Sequence, residues 1–370
     1  MYIVAFLVIL CGGFLSLVEH ERARRTAYVT YLAFALPLLF LIAGFRAVGV
    51  DGDSPLYLGW FNGIINDQMS DGLFSKDPAF VLFSLLVHTA GFAFEGLLAL
   101  YTGICMASQF FFLKASVSAR WFSLGLFLVL CRYYIPHEMT QIRASVAIPV
   151  MSLAIVRLSR RQFQQGVLLY CLALVFHLST LIALPLCVAI LCGARFETKG
   201  WLQWITGTAV LLHVAFEKLS VYLVIFSRLS DYVNGNYEVE ANSLLSFYFL
   251  LRVALIVFVY FFLWEKLQRT ERIIVLCSLT GLALEAAFSS NAAFAIRSAE
   301  VFGMFDVAAG LLLLQHLGRR TVPVYALLLL AAGANFYRSS TKIIEPYRAV
   351  WMPVHAASIH TQSTRTVVDS

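Results

Sequence analysis

The chain has 370 residues, 60% of them hydrophobic, and a formal net charge of +6. Its mean hydropathy of +0.81 means far more apolar side chain than a soluble domain of this length can bury, which excludes a soluble globular class and leaves an all-α, polytopic membrane protein. The positive balance does not point to nucleic acid, because the basic residues fall mostly in short segments between apolar runs, where topology accounts for them.

In chain order, the first apolar run, Tyr2 to Val18, lacks a basic leading region and a small-residue cleavage motif, and arginines follow it rather than precede it. It reads as a retained first span. A second span covers 28–45, and a longer mixed-charge segment, 46–77, follows. Lys76-Asp77-Pro78 then opens the apolar run 78–90, which is too short to cross and reads as a half-helix with Asp77 as its N-cap. Further spans are predicted at 92–113, 120–135, 143–158, 165–177, 179–192, 201–216, 243–263, 273–289, 298–316 and 321–337. That makes about twelve crossings. Residues 1–337 form one transmembrane domain and 338–370 a tail, polar and frayed from Thr361 to Ser370. Between 217 and 242, Leu219 to Val233 is amphipathic, carries Tyr222, Arg228 and Tyr232, and leads into the turn Asn234-Gly-Asn236; it reads as lying along the interface. Nothing suggests a repeat. The seven cysteines lie in or beside apolar runs with neither Cys-x-x-Cys nor Cys/His metal spacing, so they read as buried thiols, with no metal and no cofactor called for.

Orientation follows from the basic residues. If 78–90 does not cross, one alternating set of loops holds Arg22/Arg24/Arg25, Lys114/Arg120, Arg157/Arg160/Arg161, Arg195/Lys199, Lys266/Arg269/Arg272 and Arg319/Arg320. If it crossed, every cluster from Lys114 onward would move to the face opposite Arg22 to Arg25. The half-helix and both termini are therefore expected outside, together with 46–77, 136–142, the turn at His177, 217–242 and 290–297. Runs 165–177 and 179–192 are read as two short helices meeting on that side.

The outer segments hold the polar residues that need a reason. Arg46, with Asp51, Asp53 and Tyr57, either snorkels to the headgroups beside a turn or binds an anion, with an aspartate as base or as its orienting partner. In His137-Glu138-Met-Thr-Gln141-Ile-Arg143, a continuous helix would put Glu138, Gln141 and Ser145 on one face, and Arg143 would join them only if the helix started late. His177 sits at its junction either as a satisfied structural group or as an acid–base residue. Arg297 begins a span and can pair with Glu300 three residues on. Arg252, near the middle of 243–263, needs a wet cavity or a carboxylate, and Glu285 is a partner to test. Arg46, Arg143 and Arg297 at one face would suit a phosphate or pyrophosphate and supply the charge compensation a metal would otherwise give.

At these residues the chain resembles the EpsG/Wzy type of bacterial polysaccharide polymerase. The resemblance rests on Arg46-x-x-Gly49-x-Asp51 with Tyr57, Asp77-Pro78-x-Phe80, Gln141-Ile-Arg143, Phe176-His177-x-Ser179 and Ile296-Arg297, in order across about 28–316. Gly52-Asp53-Ser54 departs from the usual acid followed by Thr or Tyr, which leaves open whether Asp51 or Asp53 is the family counterpart. The resemblance implies a glycosyltransferase of the bacterial cytoplasmic membrane, with its active site outside, and the arginines together with the missing metal-ligand spacing make it a metal-independent one. It also implies an undecaprenyl-diphosphate-linked glycan as donor, a second lipid-linked repeat unit as acceptor, and a chain-length regulator as a further partner. Arg46, Arg143 and Arg297 would hold the diphosphate, Tyr57 and Gln141 would contact substrate, and His177, Asp51, Asp53 or Glu138 would take the acceptor proton, His177 being favoured.

A carrier or flippase of lipid-linked sugars would use the same arginines without a base. A sugar acyltransferase would need a donor route and a nucleophile or His-x4-Asp pattern that the sequence does not show. A ligase of finished glycans would share the polymerase chemistry.

Overall fold

The computed structural model describes residues 1–18, 20–66, 77–196, 200–223, 244, 246–317, 321–342 and 344–351. The expected interfacial stretch from Leu219 to Val233 falls largely outside them, as do the Asn234 turn and the end of the tail. Among the described residues there are fifteen α-helices and no strand. They are α1 (Tyr2–Phe14), α2 (Glu21–Gly44), α3 (Ser54–Ile65), α4 (Pro78–Thr89), α5 (Phe94–Ser116), α6 (Phe122–Tyr133), α7 (Ile142–Ser159), α8 (Phe163–Phe176), α9 (Leu184–Leu191), α10 (Gly200–Leu223), α11 (Phe247–Phe258), α12 (Arg269–Ala287), α13 (Ala292–Glu300), α14 (Gly303–Leu317) and α15 (Thr321–Lys342). This is an all-helical membrane protein.

Four helical stretches are long and apolar enough to cross a bilayer, Glu21–Gly44, Phe94–Ser116, Ile142–Ser159 and Tyr248–Lys266. A fifth results if α13 and α14, bent by 58° at their junction, count as one broken span. Shorter apolar helices include Tyr2–Leu17, Pro78–Thr89, Phe163–Phe176 and Leu178–Leu191. By length and composition the described residues thus give four or five spans, where about twelve were expected.

Central to the bundle is α7, which is buried over nearly all its length and packs on α5 and α8. Its entry is governed by Pro136. With no amide hydrogen and a ring that collides with the carbonyl four residues back, this proline breaks the regular ladder after α6. The backbone slips to a π-turn over Tyr134–Glu138, with the Met139 amide donating to the Tyr134 carbonyl at 3.1 Å and Gln141 to Pro136 at 3.2 Å. The helix therefore restarts at Ile142, one residue before Arg143, so the continuous face of Glu138, Gln141 and Ser145 does not form.

Pro55 and Pro78 each stand in the first turn of a short helix, where a missing donor costs nothing and the fixed φ helps initiation. The expected half-helix is α4, twelve residues long. The two short helices at 165–192 are also present: α8 ends at Phe176, His177 is extended (φ −163°, ψ 122°), and a 3₁₀ segment, Leu178–Ala183, leads into α9. Thr180 holds this corner by donating its amide and its hydroxyl to the His177 carbonyl, at 3.3 and 2.9 Å.

Candidate active site

Segment 46–53 is a folded loop rather than a headgroup anchor. Arg46 and Asp51 are fully buried against each other, with Arg46 Nε donating to Asp51 Oδ2 at 2.8 Å and Nη1 donating to the Ala43 carbonyl at 2.6 Å. Arg46 Nη2 is buried with no hydrogen-bond partner among the described residues. The other oxygen of Asp51 accepts the amides of Ser54 at 2.8 Å and Asp53 at 3.1 Å, which starts α3. A snorkelling arginine would have its head in water, so that reading of Arg46 is excluded. The turn passes through Gly49 at φ +87°, a conformation costly for other residues. A strap from the end of the chain closes over the loop: Ala47 donates to Arg348 and Glu345 to Val50, both at 2.9 Å, and Val350 to Phe45 at 3.1 Å.

Asp77 is the residue that sequence reasoning undervalued. Its side chain makes no cap bond to α4. Instead one carboxylate oxygen, Oδ2, takes both an Arg143 Nη1 hydrogen bond and His177 Nδ1, the latter at 3.0 Å. Asp77 is 2% exposed while the His177 side chain is 28% exposed, so the acid is hidden and the imidazole reaches the surface of the site. An Asp followed by Pro at a helix start signals a cap, and only tertiary contact with α7 and the α8 corner reveals the other use. The Arg143 guanidinium lies 4.8 Å from the Trp60 ring centroid and 5.5 Å from that of Tyr57. Beneath, Tyr57, Trp60, Phe80, Tyr101, Phe83 and Phe176 form successive ring contacts between 5.4 and 6.4 Å that join α3, α4, α5 and α8. The site thus has an aromatic floor.

Half-buried Asp53 feels all three arginines. Burial pushes its carboxyl above the ordinary value, and the positive charges of Arg297, Arg143 and Arg46 pull it back. Arg297, exposed on α13, also acts on Glu300, as does His137, whose Nε2 lies 3.5 Å from Glu300 Oε2.

The structure therefore joins Arg143 and His177 through Asp77, sets Tyr57 under Arg143, and pairs Arg46 with Asp51 just before the helix that carries Tyr57, with Asp53 between; Arg297 is linked to this group only by its charge acting on Asp53. Gln141 is half-exposed at the start of α7, beside them in sequence. Glu138 stands apart from this group: it is fully buried, and its neighbours are Gln109 and Cys105 of α5 and Tyr134.

A second charged cluster lies inside the bundle. Arg252 binds Glu285, the partner suggested by sequence, and also reaches Asp306 at 3.1 Å; Arg132 meets the same Asp306 oxygen at 3.0 Å. Ser278 donates to the other Asp306 oxygen at 2.6 Å. Two arginines and two acids neutralise one another, which makes charge tolerable at this depth. Gly303 permits it, since a Cβ there would collide with the Tyr133 hydroxyl and the Arg132 guanidinium. Among the described residues no group of three His, Cys, Asp or Glu side chains is placed to hold a metal ion.

Compared with known proteins, the chain matches the model of the EpsG family over residues 29–348, most of its length and all of the site just described. The chain belongs to the EpsG family. Membership assigns it, in general terms, to polysaccharide polymerisation by a glycosyltransferase-like enzyme. No curated protein and no solved structure matches this EpsG-family chain.

Proposed function

We propose that this protein joins lipid-linked oligosaccharide repeat units into a polysaccharide by glycosyl transfer at the outer face of the bacterial cytoplasmic membrane. The observation that carries the reading is the double use of Asp77, one buried oxygen holding both an arginine and a histidine. A carrier needs the arginine but has no use for an oriented base.

In this mechanism the donor is a glycan on a lipid diphosphate, and Arg143 and Arg297 meet its leaving group; Arg46, expected from sequence to hold the diphosphate directly, is sealed against Asp51 and contributes only its charge and the shape of the loop. Negative charge grows on the diphosphate as the glycosidic bond breaks, and positioned guanidinium groups compensate it in a site partly shielded from water. Asp77 accepts the Nδ1 hydrogen of His177, which leaves Nε2 as the atom that takes the acceptor hydroxyl proton while its oxygen attacks the anomeric carbon. The proton passes to His177, the new glycosidic bond carries the lengthened chain, and the free lipid diphosphate departs. Asp51 positions Arg46, while Asp53 is the counter-ion that offsets the arginines' charge before substrate enters. Tyr57 and Trp60 hold the face of Arg143, and Gln141, half-exposed two residues before Arg143, is the candidate to contact substrate beside it.

The outer orientation rests on charge. Arg22 to Arg25 lie in the first turns of α2, Lys114 in the last turn of α5, Arg157 to Arg161 at the end of α7 and Arg195 after α9, all at the helix ends remote from Arg46 and His177. Positive ends face the cytoplasm. With short helices such as α1, α8 and α9 counted as tilted or paired crossings, about twelve passages remain the working topology, one domain over 1–337.

The decisive experiment supplies purified protein with lipid-linked repeat units, in the presence of a chelator. A ladder of longer products is expected, and it should vanish in His177→Ala and Arg143→Ala variants that remain folded. Units returned unchanged by the wild type would reject polymerisation and favour transport, and a ladder that needs added divalent cation would reject the metal-free mechanism.

A further inference from the structure

The helix ends opposite the site are not merely a scatter of charge. There the start of α2, the end of α5 and the start of α6 enclose a cavity of about 460 Å³ lined by Arg24, Arg25 and Lys114, with Tyr28, Phe110 and Phe122 among its walls. Glu21 is the one acid among its lining residues, so the cavity keeps a positive excess. The Tyr28 and Phe110 rings pack on Phe122 at 5.5 and 5.1 Å, giving the cavity an aromatic side. The Tyr28 hydroxyl is buried and has no hydrogen-bond partner among the described residues, a donor left without an acceptor. Arg160 of α7 donates to the Ala115 carbonyl beside Lys114, which ties the cavity to the same end of the bundle as the α7 arginines. The 24 residues of α2 separate it from Arg46 by about 36 Å.

We propose that this cavity binds the phosphate headgroup of an anionic phospholipid. Three cations and an unpaired hydroxyl suit a phosphodiester, and basic pockets between helix ends are where such headgroups lodge. A lipid is preferred to a free phosphate because the helix surfaces next to the cavity are apolar and open: Val29 is 59% exposed and Phe111 52%, each one residue along from a lining side chain. Acyl chains can lie against them while the headgroup sits within.

The test uses the full-length protein purified in detergent, presented with phosphatidylglycerol, phosphatidylcholine or inorganic phosphate. Retained lipid is read by native mass spectrometry and thermal stabilisation by unfolding curves. Wild type should retain phosphatidylglycerol over phosphatidylcholine and be stabilised by it, with each removed cation weakening retention about fivefold. Lys114→Ala and Arg24→Ala/Arg25→Ala/Lys114→Ala should show graded losses, Tyr28→Phe a smaller one, and Arg22→Ala, at the same end but outside the cavity, none. If the triple variant does not fold, Lys114→Ala and Tyr28→Phe decide alone. Unchanged retention in the cavity variants would overturn the proposal, as would an equal loss in Arg22→Ala. Stabilisation by inorganic phosphate as large as that by phosphatidylglycerol would overturn the lipid assignment.

Discussion

Asp77 makes the sharpest residue-scale prediction, because its two partners would serve different steps. Asp77→Asn keeps the shape but offers an amide where His177 requires an acceptor and Arg143 a negative charge. Turnover should fall on the order of a hundredfold or more, the usual worth of a general base. Combined with His177→Ala it should cost little beyond His177→Ala alone, since residues acting as a unit are not additive; a fully additive loss in kcat would separate the pair. Asp53 answers to pH instead. Its carboxyl is raised by burial, so at low pH it is neutral and the arginines are free for an anion; as pH climbs through that raised value it ionises and competes. Diphosphate affinity of the wild type should therefore decline, about fivefold, across a window shifted upward from the ordinary aspartate value. Asp53→Asn should flatten the decline, as titration calorimetry at several pH values would show. A flat wild-type profile would remove Asp53 from the arginine cluster's chemistry.

At the scale of elements, the strap at 344–350 is held to the Arg46 loop by backbone hydrogen bonds, the antiparallel bridges Arg46–Ala349 and Asp51–Ile344 marking the pairing. Glu345→Pro deletes the donor to Val50, and Val350→Pro the donor to Phe45. Each lost bond is worth about 1 kcal/mol. The double variant should speed amide hydrogen exchange in 45–50 while leaving α7 protected; exchange rising equally in both would mean that the strap supports the whole bundle rather than the loop. The elements themselves were largely legible. Apolar runs and prolines marked α2, α4, α5, α7 and the break at His177, because local composition decides where a span begins. What sequence could not show was contact between distant segments. Asp77 resembled a cap because its neighbours along the chain are a helix start, whereas its partners lie 66 and 100 residues away. The π-turn at Pro136 was hidden for a related reason, since a proline announces a break in the ladder but not how the carbonyls will be satisfied. Asp306 was not singled out beside Glu285, although the predicted span 298–316 puts it near the middle, where an acid needs a partner as much as Arg252 does.

For the whole molecule, the charge distribution makes a directional claim. Cysteine introduced at Asn66, exposed after α3, should react with an impermeant thiol reagent on intact cells, and cysteine at Arg120, exposed before α6, only after permeabilisation. The background would be a cysteine-free chain, feasible because none of the seven thiols is bridged. The reverse pattern would place the arginines and His177 in the cytoplasm and rule out transfer outside. Counting apolar runs gives about twelve passages, while length and composition in the folded helices give four or five. Part of the difference lies in α1, α8 and α9, which are apolar but short and cross only if tilted or paired, and part in helices such as α12 and α15, which are long enough but less apolar. An apolar run says that a segment avoids water; how it crosses depends on its length and its neighbours.

The strap also imposes an order in time. The Tyr2 hydroxyl donates to the Glu345 carbonyl at 2.8 Å and the Glu345 amide to Val50 at 2.9 Å, so the first helix, the Arg46 loop and the end of the described chain are stitched at one point. The loop emerges from the ribosome about 300 residues before its partner, a wait of roughly 15 to 60 s at ordinary synthesis rates. During that interval Ala47 and Val50 lack their partners, and the loop closes only once the later helices have been inserted. Assembly of the arginine site thus waits on a segment made about 300 residues later, and a chain stalled in the membrane before it would carry the arginine without the finished site.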